Sequence, residues 1–256
     1  MKRRGRRAKR TIGQRAARVP LAVWVTLGLA ALIVVNGGYQ LARKPSELLG
    51  LVVPASAKTP ATTWAEYGPL FRAHSTGVMQ PSLLAALAQV ESAGNPVART
   101  FWRWQWSLNP FRVYAPASSA VGMFQLTDEA FAEAQHLCIR DHAVAREGAW
   151  DDPRACWLTG WYFRSLPSHA IEMTSAWLDQ AVADTLAEQR ISRPTLEQKQ
   201  RLAAVIHLCG RARGAMFARH GFRLHPGERC GDHDPGRYLA QVQALRIAFA
   251  RLDARG

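Results

Sequence analysis

The apolar pattern begins with an unbroken block. Residues 19–35, VPLAVWVTLGLAALIVV, hold no charge, and the uncharged run continues through Asn36, Gly37, Gly38 and Tyr39 to Ala42. About 20 mostly apolar residues suffice for a helix to cross a bilayer. The run therefore predicts one span over 19–42, with Trp24 and Tyr39 as interfacial anchors. Downstream the periodicity becomes that of amphipathic helices. Trp64, Tyr67, Leu70 and Phe71 mark one stripe over 64–74. Pro81 opens a second helix carrying Leu83, Leu84, Leu87 and Val90, with Gly94 and Pro96 as its stop. Further helices are predicted over 128–137, 153–165, 167–190, 196–209 and 237–252, and a long Trp-rich loop over 100–121. No convincing period-two run is found, so the domain after the span is expected to be all-α. Pro45, Pro54 and Pro60 mark a linker. The expected organisation is a basic arm (1–18), an anchor (19–42), a linker (43–62) and a helical domain (63–256) large enough to bury a core.

Charge settles how the apolar block is read. The formal net charge is +14, and nine of the cations lie in residues 1–18, which contain no acid. Such an arm can neutralise nucleic-acid phosphates or flank a membrane helix on its cytoplasmic side. Next to a span the second reading is the simpler one. It predicts the N-terminus in the cytoplasm and the domain outside an inner membrane, in the periplasm, with no nucleic-acid partner. A cleaved signal peptide is the rival, but the A-x-A-like site Ala55-Ser56-Ala57 lies some 20 residues beyond the block, whereas cleavage normally follows closely. All four cysteines follow the span, where an oxidising compartment favours disulfides. Pairing Cys138 with Cys156 and Cys209 with Cys230 closes short loops. A zinc site is the alternative, and no CxxC supports it.

The candidate chemistry centres on Glu91. Leu84, Leu87 and Glu91 fall on one helical face, placing a carboxyl on the apolar stripe at a helix C-terminus. Low dielectric and the negative end of the dipole both disfavour its ion. The expectation is a carboxyl held protonated near neutral pH, as a general acid requires. The plainer alternative is a helix-terminal Glu paired with Arg99 or Arg103.

Three blocks resemble the lytic transglycosylase branch of the lysozyme-like superfamily. LLAALAQVESAGNPVA (83–98) looks like that family's helix ending in Glu-Ser, followed by a turn and Asn-Pro-x-Ala. SSAVGMFQLTDEAF (118–131) is similar to its Ser-x-x-Gly-Leu-Met-Gln stretch, which lines the sugar cleft. LAAVIHLCGRARGA (202–215) stands where the family has Ala-Ala-Tyr-Asn-Ala-Gly, with His207 in place of the Tyr. Tyr238, Leu239 and Val242 look like the family's final helix. The resemblance implies a lysozyme-like fold and peptidoglycan glycan strands as partner. It implies Glu91 as sole acid/base and cleavage of the MurNAc-β-1,4-GlcNAc bond with a 1,6-anhydro product. Ser92, Ser119, Met123, Phe124, Gln125 and His207 would contact substrate, Met123 and Phe124 as an apolar floor. No cofactor or metal is called for. A water-using muramidase and a non-catalytic wall-binding scaffold remain as alternatives. The insert at 100–116 is longer and more aromatic than the family's, and reads as core packing, a lid or a cleft wall.

Overall fold

A computed structural model describes residues 20–43 and 57–255. The basic arm and most of the linker lie outside the described residues. The chain divides into two compact units.

In the first unit, helix α1 (Leu21–Arg43) covers the apolar block. Among the described residues it is the one helix long and apolar enough to cross a membrane, over Leu21–Leu41, and it is almost wholly exposed. Its partner is the aromatic insert. Strand β1 (Trp102–Trp104), the one-turn helix α4 (Pro110–Val113) and strand β2 (Tyr114–Pro116) form a small hairpin. Of the readings of this insert, core packing does not hold for Trp104 and Trp106, which are exposed.

The second unit is built around α3 (Pro81–Ser92). Every residue from Ser82 to Ala88 is buried, so this short helix is covered on all sides. Helices α2 (Pro60–Ala73) and α8 (Pro235–Asp253) pack on it and on each other, Trp64 lying 5.9 Å from Phe249 between ring centres. Each fully buried Leu of α3 contributes about 1.5–3 kcal/mol, against about 0.3–1 kcal/mol for a helix-end charge. Packing therefore decides where α3 sits, and the carboxyl at its end follows. Helix α6 (Pro167–Glu188) packs along α7 (Leu196–Arg219) to complete the core.

The unit is mostly helical but not all-α. After α5 (Asp128–Ala134) the chain forms strands β3 (Leu137–Arg140) and β4 (Ala143–Arg146), paired antiparallel. They reverse at Asp141 and His142, both with positive φ, as a two-residue hairpin turn requires. The predicted helix at 128–137 is thus shorter. Buried Glu172 explains the difference: it accepts from the backbone N–H of Ile139 (3.0 Å) and from the Tyr162 hydroxyl (2.8 Å), tying the strand to α6. The predicted helix at 153–165 is absent apart from a 3₁₀ turn at Thr159–Trp161. Cys156 is bonded to Cys138 and bridges Glu147 in extended conformation, which a helix could not do. Both disulfides pair as expected, with Cα separations of 5.7 Å for Cys138–Cys156 and 5.3 Å for Cys209–Cys230.

One turn admits only glycine. Gly122 has φ +81, and a Cβ there would lie 2.2 Å from the Arg164 carbonyl oxygen. Gly122→Ala is expected to destabilise the domain by about 2 kcal/mol or more, lowering Tm by roughly 4 °C or more in a domain of this size. Calorimetry of the detergent-solubilised chain checks this, and an unchanged Tm would show that the turn relaxes freely.

Candidate active site

The chain reverses just after α3, at Ala93 in the left-handed region, and the helix ends with Glu91 at its last turn. Two elements from distant parts of the sequence meet this carboxyl. From α8, the Tyr238 hydroxyl donates to Glu91 Oε1 at 2.6 Å. From α7, His207 Nε2 lies 3.4 Å from the same oxygen, with its side chain 5% exposed. Glu91 retains 17% side-chain exposure. Among the described residues no donor is bonded to Oε2.

The proton balance follows from these contacts. Burial is the largest influence on Glu91 and pushes its pKa up. The His207 hydrogen bond and charge, the Tyr238 hydroxyl and the field of His233 together pull it below the ordinary carboxylate range. A hydrogen bond to a charged group is worth about 1.5–3 kcal/mol, more than the dipole penalty of about 0.3–1 kcal/mol. Glu91 is therefore ionised in the free protein, which corrects the expectation of a resting acid. The helix pattern displayed the burial and the dipole, while the two donors come from segments more than a hundred residues away. Burial, with the Glu91 charge and hydrogen bond, drives the Tyr238 pKa well up, so its hydroxyl keeps its proton and remains a donor.

Local geometry fixes each partner. Helix α7 breaks at Gly210, whose φ of 80 and ψ of 169 belong to a region that side chains avoid. The break falls immediately after Cys209, which is bonded to Cys230. Cys230 in turn exchanges two backbone hydrogen bonds with His233, at 3.0 and 3.1 Å, just before α8 begins. One crosslink thus joins the strand of chain carrying His207 to the one carrying His233 and Tyr238.

A groove of about 440 Å³ opens beside His207 and is walled by Gln125, Leu126, Ala130, Glu133 and Arg211. Glu91 is not part of its lining and reaches it through His207. A shallower depression of about 580 Å³ shares Glu133 and Arg211 with it, so the two run on along the surface. Glu133 is held by Arg211 (3.0 Å) and by the Trp177 indole N–H (2.7 Å), while Glu129 stands exposed on the groove's lining. Among the described residues no group of three or more His, Cys, Asp or Glu is placed to hold a metal.

No protein-family model matches the chain, and no curated protein does. The site is therefore read from its own geometry.

Of the residues singled out in the sequence, Glu91 and His207 come together, and Gln125 joins His207 along the groove. The turn at 121–126 does this by closing on itself through reciprocal Val121–Leu126 hydrogen bonds. Gln125 has φ +48 and donates its amide to the carbonyls of Gly122 (2.9 Å) and Ala98 (3.3 Å). Met123 and Phe124 are fully buried by the same turn, so they are core and not a groove floor. Ser92 donates to the Ala88 and Met123 carbonyls, bracing the end of α3 against this turn. Ser119 accepts from the Asp128 N–H and steadies the start of α5; it does not line the groove. Asp128 is paired with Arg164 at 2.8 Å. In the sequence Tyr238 stands out only through the resemblance of Tyr238, Leu239 and Val242 to the family's final helix, with no role given to its hydroxyl. A buried Tyr needs a partner for its hydroxyl.

A folded-state pKa below the unfolded value gives stability that is complete above the ordinary carboxylate range and is lost as pH falls through the folded value. Glu91→Gln keeps the shape but has no such ion. The stability difference between parent and Glu91→Gln, from urea unfolding, should therefore shift against the parent on going from pH 7 to pH 3. A pH-independent difference would mean that Glu91 is not gripped as an ion.

Proposed function

We propose that the chain is a membrane-anchored lytic transglycosylase of lysozyme-like fold, acting on peptidoglycan with Glu91 as its single acid/base. The observation that carries this reading is the buried carboxyl, held on one oxygen by Tyr238 and His207, with His207 also lining a groove that shares Arg211 and Glu133 with a second depression. The Glu-Ser and Gly-Met-Phe-Gln blocks that resemble the family are the segments that build it. The charged arm before the apolar run supports the reading that the N-terminus is cytoplasmic and the helical domain periplasmic, where the wall lies.

The two opposing influences on Glu91 suit both halves of the reaction. A glycan settling over the carboxyl removes its remaining contact with water, which favours uptake of one proton from the solvent as the substrate binds. That proton returns to solvent when the products leave. Glu91 then gives its proton to the glycosidic oxygen as the C1–O bond breaks. Tyr238 and His207 stabilise the carboxylate so produced. That carboxylate takes the proton of the muramyl C6 hydroxyl as O6 bonds to C1. The products are a 1,6-anhydro-muramyl end and a free GlcNAc 4-hydroxyl, and no water is consumed.

A hydrolase would need a second carboxylate to activate water or form a covalent intermediate. Glu133 is committed to Arg211 and Trp177, which leaves Glu129 as the candidate for that reading. Mass spectrometry of muropeptides released from purified sacculi separates the two. Anhydro ends that persist in Glu129→Gln and fall about 10²–10⁴-fold in Glu91→Gln are expected. Reducing muramyl ends that vanish in Glu129→Gln would replace the transglycosylase with a hydrolase. Unchanged release by Glu91→Gln would remove Glu91 from the chemistry.

A further inference from the structure

The aromatic hairpin between β1 and β2 has no part in the groove chemistry, and what it packs against is informative. Helix α1 has two buried polar residues, Asn36 and Gln40, one turn apart near its C-terminal end. Both are covered by the hairpin. Asn36 Nδ2 donates to the Tyr114 carbonyl at 2.9 Å, and Gln40 Nε2 donates to the Phe111 carbonyl at 2.5 Å and to Asn36 Oδ1 at 3.5 Å. Tyr39 packs on Phe111, with ring centres 4.6 Å apart. The purely apolar part of the block ends at Val35, short of the roughly 20 residues that fill a hydrocarbon core. Two side-chain amides at that boundary would be costly if they faced lipid without partners. The hairpin's carbonyls supply those partners.

Other residues of the hairpin present what a folded segment in water would not. Trp104 is 72% exposed, and Trp106 and Leu108 are exposed completely. Arg103 and Arg112 of the same hairpin are exposed as well. The shape is built and not frayed: Gln105 N–H donates to the Val113 carbonyl (2.9 Å), Asn109 caps α4 (3.0 Å), and the Trp102 and Trp104 rings lie 5.2 and 4.7 Å from Tyr114. Rigid Trp rings flanked by Arg, held against the end of an apolar helix, match the chemistry of the headgroup layer. There indoles sit at the apolar–polar boundary and guanidinium groups meet phosphates.

We propose that residues 102–115 form a membrane-interface foot, seated in the outer headgroup layer of the bilayer that α1 crosses, with Trp104, Trp106 and Leu108 entering the lipid. The inference rests on α1 being a membrane span and is independent of the glycan chemistry. It gives the chain a second attachment to the membrane, far in sequence from the anchor.

The test uses the full chain in phosphatidylcholine–phosphatidylglycerol vesicles. All four native cysteines are in disulfides, so Trp106→Cys and, separately, Ile33→Cys each offer one thiol for a fluorophore. Quenching is read with spin labels at headgroup and deep acyl positions, and with iodide on both sides of the membrane. The expected result is that the label at 106 is quenched most by the headgroup probe and is several-fold less open to iodide than the free dye, while the label at 33 responds to the deep probe. If 106 is as open to iodide as the free dye while 33 remains deep, the foot is wrong and the span stands. Strongest quenching of 106 by the deep probe would also overturn an interfacial seat. A label at 33 that iodide reaches freely would remove the span and the foot together.

Discussion

The site depends on one buried carboxylate being held by two side chains, the Tyr238 hydroxyl and the His207 imidazole. Glu91 occupies the last turn of a helix that is covered on every side, so packing of α3 brings it into the interior whatever its charge prefers. Without Tyr238 and His207 the ion would face low dielectric and the unfavourable end of a helix dipole. With them it is the stable form. The remaining features of the second unit can be understood as placing those two side chains. The break at Gly210 and the Cys209–Cys230 crosslink bracket His207 and the approach to α8, while the covering of α3 by α8 brings Tyr238 to the carboxyl.

On the proposed reading, this arrangement would resolve a conflict within acid/base catalysis by a single group. An acid that is too stable does not release its proton, and a carboxylate that is too stable does not take one. Burial and hydrogen bonding act on Glu91 in opposite directions. His207 serves as wall of the groove and as partner of the acid at once, so occupancy of the groove and the environment of Glu91 are linked through one imidazole.

What was legible in the sequence follows the range of the forces involved. Helical periodicity is local, and α3, α6 and α8 emerge close to where their stripes place them. The disulfide pairs were readable because short loops limit the choices. Strands β3 and β4 were not legible, since four residues each is too short for alternation to register and their order comes from Glu172 and Cys156. The segment at 153–165 has helical spacing of apolar residues, yet its crosslink imposes an extended backbone at Cys156. Glu91 could be singled out from its position on the stripe, but its ionisation could not. That is set by a hydroxyl 147 residues away. Met123 and Phe124 lie within a motif that resembles a cleft lining, and only the closed turn at 121–126 reveals that they point into the core.

The central claim is that Tyr238 and His207 together hold Glu91 as an ion until the groove is filled. Site-resolved carbon-13 NMR of the Glu91 carboxyl, titrated in parent, Tyr238→Phe and His207→Phe, addresses it without reference to any reaction. The account predicts a midpoint below the ordinary carboxylate range in the parent and a rise in each variant, because each loses a donor while burial persists. A midpoint at the ordinary value in all three would contradict it, since the carboxyl would then be responding to water and not to its two partners.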